Sequence, residues 1–107
     1  MAGRADPSRH LPAGEEFLLL PPTQQPHAYA NVDRMFATRP VLRGPSPRVL
    51  PRDMEIAPRY HVGNDEMGVA DFIQRTQVAG LLVIADGRIV LERYALGLTE
   101  ATRWTTM

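Results

Sequence analysis

The 107-residue chain contains no cysteine, which excludes disulfides, thiolate nucleophiles and cysteine-based metal sites. It contains no lysine either. All 12 basic residues are arginine, and 12 acidic residues balance them to a formal net charge of zero. A nucleic-acid-binding chain usually concentrates a basic excess on one face. Here the signs interleave, as in Asp33-Arg34, Arg52-Asp53 and Glu92-Arg93, so no nucleic-acid partner is expected. Long apolar runs are also missing. The first, Phe17 to Leu20, follows Glu15-Glu16 and is far shorter than a signal peptide needs. A membrane-spanning helix needs about 20 apolar residues. No membrane partner is expected, and the chain reads as cytoplasmic.

Proline is absent from Arg59 to the end, while all ten prolines lie between Pro7 and Pro58. Proline fixes φ and removes a backbone donor, so the first half should hold neither long helices nor central strands. Residues 1–25 read as a flexible N-terminal tail. Residues 26–63 read as an extended Pro/Arg-rich segment that wraps on something else. Its one helix is expected over Tyr29 to Thr38, with Val32, Met35 and Phe36 as an apolar stripe, ended by Pro40. Arg43 to Pro51 favours a polyproline-like path.

Residues 64–107 read as ordered. Asn64 or Asp65 is a candidate cap for a helix from about Glu66 to about Thr76, with Val69, Phe72 and Ile73 on one face. The clearest local signal follows: the apolar run Ala79 to Ala85, then Asp86-Gly87, then Arg88 to Tyr94. Asp-Gly between two apolar runs marks a tight hairpin, because both turn positions take positive φ. Strict alternation would set Ile89 and Leu91 on one face, with Val90, Glu92 and Tyr94 on the other. The first strand is apolar on both faces, which implies cover on both sides. Burying two such strands alone does not offset the entropy of ordering them, so further strands and a covering layer are expected.

The order helix, Ala79 to Gly97, then Thr99 to Met107 resembles the opening of β-lactamase-related serine hydrolases, in the class C-like and 6-aminohexanoate-dimer hydrolase branch. Ala30 to Val41 is also similar to the extended N-terminal region of that branch. The resemblance implies an α+β fold: the N-terminal part of a β-lactamase/transpeptidase-like body, with a Pro-rich arm, short helices and an antiparallel hairpin of the central sheet. It implies a parent enzyme acting on a small-molecule ester, amide or β-lactam-like bond through an acyl-serine, without a cofactor. Its Ser-x-x-Lys motif would come directly after Thr105-Thr106-Met107. A serine hydroxyl needs an adjacent base to take its proton. The resemblance assigns that role to the motif's lysine, assisted by a tyrosine from a later Tyr-x-Asn or Tyr-x-Ser element. This chain has no lysine, and its only serines, Ser8 and Ser46, sit in Pro-rich segments. Taken alone it is expected to be catalytically inactive, and to associate with a C-terminal portion that supplies both groups.

No residue is assigned a catalytic, cofactor or metal role. Arg103 and Trp104 are the candidates for a position beside the cleft, with core packing the favoured reading for Trp104. Tyr29-Ala30-Asn31 matches Tyr-x-Asn only by spacing and precedes any nucleophile. His10, His27 and His61 are widely spaced and read as loop histidines. The glycines lack the spacing of a phosphate-binding loop. A second reading is a small non-enzymatic α/β adaptor module, since a helix followed by an Asp-Gly hairpin also opens such folds. The Pro/Arg-rich half would then be a partner-binding arm.

Overall fold

A computed structural model describes residues 6–106. The chain divides into two compact units, Met1–Leu42 with Ala101–Met107, and Arg43–Glu100. The architecture is mixed, with short helices and two small antiparallel hairpins, an α+β arrangement.

The first unit begins with a 3-10 turn at Pro7–Arg9, capped by Asp6, whose carboxylate accepts the Ser8 amide at 2.9 Å. A second 3-10 segment, Gly14–Leu19, uses the short apolar run. In a 3-10 helix residues i and i+3 stack on the same side. Phe17 and Leu20 are accordingly buried, while Leu18 and Leu19 face solvent. Two packed side chains thus lie in the stretch read as a flexible tail; its residues 1–5 lie outside the described residues.

Helix α1 spans Gln25–Tyr29. This corrects the helix expected over residues 29–38. Pro26 sits in its first turn, where a proline's missing donor costs nothing, so the helix starts early. The Asn31 side-chain amide donates to the His27 carbonyl at 2.7 Å and closes its end. Only a 3-10 turn, Val32–Arg34, follows. The aromatic rings then form one chain of tilted and edge contacts. Phe36 meets Phe17 (centroids 5.7 Å apart), Phe17 meets Tyr29 (5.2 Å), and Tyr29 meets Trp104 (5.6 Å). The Thr105 amide donates to the Tyr29 carbonyl at 3.1 Å, which ties the C-terminal segment to α1.

In the second unit, β1 (Tyr60–Val62) and β2 (Asp65–Met67) form a hairpin around Gly63-Asn64, with Gly63 at φ +61. Asn64 and Asp65 therefore do not cap a helix, a second correction. Gly-Asn is itself a two-residue hairpin turn, and glycine reaches the positive φ without strain. Helix α2 spans Val69–Thr76 and starts after extended Gly68, whose amide donates to the Asp71 carboxylate at 2.8 Å. Phe72 of α2 stands edge-on to Tyr60 of β1.

Strands β3 (Gly80–Ala85) and β4 (Arg88–Tyr94) pair antiparallel across Asp86-Gly87, both at positive φ (51 and 73). The register breaks between Val83 and Ile84. Val83 faces Leu91, but Ile84 faces Ile89, so Val90 is an extra residue in β4. Such a bulge shifts the alternation of side chains. Ile89 therefore joins the row of Ile84 and Leu82, and Leu91 the row of Val83. This corrects the expectation that Ile89 and Leu91 share one face. Val90 and Leu91 are buried, whereas Leu82 and Ile84 are half-exposed.

The Pro-rich segment supplies a strap along the outer edge of β4. The Ile89 amide donates to the Pro51 carbonyl at 2.8 Å, and the Ile89 carbonyl accepts from Asp53 at 3.0 Å. The Val90 carbonyl, at the bulge, accepts from Ile56 at 3.0 Å. Arg52 and Ile89 form a parallel bridge. On the strap's far side the Met54 amide is taken by the Asp53 carboxylate at 2.7 Å. Among the described residues no strand pairs with the outer edge of β3.

Leu91 is 3% exposed and Leu82 50% exposed. Leu91→Ala is expected to destabilise the chain by about 2–4 kcal/mol, the range for a truncated core leucine, and Leu82→Ala by less than about 1 kcal/mol. Urea unfolding midpoints of the two variants check the difference; equal losses would mean that Leu82 is covered as well as Leu91.

Candidate functional site

Arg103 and Trp104 lie on the last described segment of the first unit. The Arg103 guanidinium pairs with Asp33 at 2.7 Å, with its own side chain largely in solvent. Trp104 lays an edge against Tyr29 and keeps 43% of its surface exposed. The pair is therefore a half-open aromatic shelf with one ion pair beside it. Neither residue carries acid–base or nucleophilic capacity at neutral pH, so the shelf can contact a ligand but not transform it. Its partners, Asp33 and Tyr29, come from a segment remote in sequence, and no local spacing pointed to either.

The groups that could be mistaken for chemistry are committed elsewhere. The Ser8 hydroxyl donates to Asp6 at 2.7 Å and caps a turn. That bond and the Ser8 amide hold the Asp6 carboxyl below its usual range, which makes it a poor base. His10 Nε2 lies 3.2 Å from the Glu16 carboxylate, both exposed. This pairing escapes a search at helical spacing because a turn and a 3-10 segment bring the two together. His10 contacts Glu16 and Ser8 contacts Asp6, so no Ser-His-acid relay is formed. In the Tyr29-Ala30-Asn31 element, Tyr29 is an aromatic-chain member and Asn31 a helix cap. Among the described residues no group of three His, Asp or Glu side chains could hold a metal ion.

The most structured polar cluster lies between the strap and β4. Arg52 reaches both carboxylate oxygens of Glu92, at 3.3 and 3.2 Å, and the Tyr94 hydroxyl donates to the same carboxylate at 3.1 Å. Arg93 pairs with Glu55 of the strap and also donates to the Glu92 carbonyl at 2.9 Å. Arg52, Glu55, Glu92 and Arg93 line a cavity of about 140 Å³. Small-molecule pockets usually run about 300–1,000 Å³, so this one is small for an organic ligand. Two of its carboxylates, Glu55 and Glu92, are paired with arginines, Asp53 also lines it, and it contains no hydroxyl or thiol nucleophile. Residue spacing gave no sign of this cluster, because Arg52 and Glu92 are 40 positions apart.

No protein-family model matches the chain, and no curated protein is similar to it in sequence. Among the described residues no helix is long and apolar enough to cross a membrane.

Partial desolvation, then the hydrogen bond to Glu92, push the Tyr94 hydroxyl above its ordinary value of 10.0. A raised tyrosine value means that the folded state favours the neutral phenol. The resulting stabilisation is full below about pH 10 and is lost as pH rises through the folded value. Phenolate absorbance should show one tyrosine titrating late, and Tyr94→Phe should remove it together with part of the alkaline loss of stability. An unchanged alkaline titration in that variant would contradict the assignment.

Proposed function

We propose that this chain is the N-terminal scaffold of a β-lactamase-related serine hydrolase. The observation that supports the reading best is the β3–β4 hairpin itself. Its outer β3 edge is unpaired among the described residues, and Leu82 and Ile84 are half-exposed on a strand with no charged side chain. Apolar strands of this kind gain stability by burial between layers and by extension of the sheet. A central sheet continued by further strands meets both needs.

In the parent enzyme a serine hydroxyl attacks the carbonyl of a small-molecule ester or amide, and a lysine one helical turn on takes its proton. The tetrahedral oxyanion is held by preorganised donors, the leaving group departs, and water then hydrolyses the acyl-serine. The chain contains no lysine, so serine and base would both come from a C-terminal portion associated with it. This chain's own contribution is two strands of the sheet, with the strap along β4, and Arg103 and Trp104 as a wall beside the cleft.

A second reading, a non-enzymatic adaptor with a partner-binding arm, has one observation in its favour. Val41, Leu42 and Val49 of the Pro-rich stretch are 95%, 86% and 83% exposed. Its strap portion, however, is already docked on β4.

On the hydrolase reading, the purified chain does not turn over a nitrophenyl ester, and the coding sequence beyond Met107, in some frame, encodes Ser-x-x-Lys. Adding the polypeptide that carries this motif restores turnover. Ester hydrolysis by the chain alone would refute its inactivity, and absence of the motif in every frame would remove the hydrolase reading. A monodisperse chain that melts cooperatively without hydrolytic activity on complementation would favour the adaptor.

A further inference from the structure

We propose that Pro51–Ile56 is a salt-releasable strap, an edge strand latched onto β4 by a crossed pair of ion pairs that set its direction and register. The proposal stands apart from the hydrolase reading, because it concerns only the second unit.

The backbone hold on the strap is slight. Three hydrogen bonds join it to Ile89 and Val90, against six paired positions between β3 and β4. Two of the three belong to Ile89, and the third goes to the bulge carbonyl of Val90. An element with few backbone bonds and exposed side chains belongs to the part of a fold that opens first.

The charges supply what the backbone does not. Positive Arg52 meets negative Glu92, and negative Glu55 meets positive Arg93. The pattern rejects the alternatives. A strap laid in the reverse direction would put Glu55 beside Glu92 and Arg52 beside Arg93. A strap slid by three residues in the N-terminal direction would put Glu55 against Glu92. Like charges in opposition disfavour wrong partners more strongly than matched charges stabilise the right one. Glu92 is the anchor. Its side chain is 11% exposed and already accepts the Tyr94 hydroxyl, so loss of Arg52 leaves a shielded carboxylate short of donors.

Arg52, Glu55 and Arg93 are 62%, 57% and 41% exposed, so solvent ions reach the latch. The screening length falls from about 30 Å at 0.01 M salt to about 3 Å at 1 M, comparable to the 3.2 Å between Arg52 and Glu92. Raising ionic strength therefore loosens the strap and bares the Ile89 amide and the carbonyls of Ile89 and Val90. The β3–β4 ladder, held by backbone bonds and apolar packing, stays closed.

Amide hydrogen exchange on the whole chain, followed by NMR, tests this. The Ile89 amide reports the strap through its bond to Pro51, and the Ala95 amide reports the hairpin through its bond to Ala79 at 3.0 Å. Going from low salt to about 1 M sodium chloride, Ile89 exchange should quicken about tenfold while Ala95 changes less than about twofold. R52E should speed Ile89 exchange at low salt by a similar factor, and R52E/E92R should restore protection. The proposal is overturned by an Ile89 amide indifferent to both salt and R52E, by no recovery in the double variant, or by Ile89 and Ala95 accelerating together, which would mean that the whole hairpin opens.

Discussion

A β-strand edge is a row of backbone donors and acceptors that must find partners. On β4 those partners come from the strap. The bulge at Val90 makes this pairing more necessary, since an extra residue leaves a carbonyl out of the regular ladder, and Ile56 donates to it. The two arginine–glutamate pairs then repeat the same junction in side chains. The cavity of about 140 Å³ lined by these groups is what remains between an irregular strand and a bulged one. Much of the second unit's polar organisation thus descends from one extra residue in one strand.

The first unit is held differently. Among the described residues it has no sheet, and its helices are too short to be stable by themselves. Its cohesion comes from four aromatic rings in sequence, Phe36, Phe17, Tyr29 and Trp104, each meeting the next at a tilted or perpendicular angle. These geometries suit the quadrupoles of the rings. The residue considered for a cleft wall, Trp104, is the last link of that chain, and Arg103 beside it is engaged by Asp33. Packing and cleft contact are compatible for a tryptophan with nearly half its surface open.

What was legible in the sequence was local. Asp86-Gly87 between two apolar runs produced the hairpin, because a two-residue turn specifies its own dihedrals. The Gly63-Asn64 hairpin carried a comparable turn but only three residues on each arm, and Asp65-Glu66 read equally well as the first turn of a helix. The bulge could not be read from alternation, since it interrupts alternation. Phe17 and Leu20 reveal a packed face only once the segment is known to be 3-10 rather than α-helical. The strap falls within the stretch read as extended, but its seat depended on pairing across about 40 positions, where no local rule applies. The candidate site shares this limit: Arg103 and Trp104 could be named from resemblance, but their contacts with Asp33 and Tyr29 emerge only in the folded chain.

The outer side of the strap has a consequence of its own. The Met54 amide, one of the donors on that side, is occupied by the neighbouring Asp53 carboxylate. Growth of this sheet is thereby polarised. One flank offers an added strand one donor fewer, like the hemmed border of a woven cloth, while the β3 flank is unpaired among the described residues. A strand added to this sheet through its backbone is thereby favoured from one direction of approach.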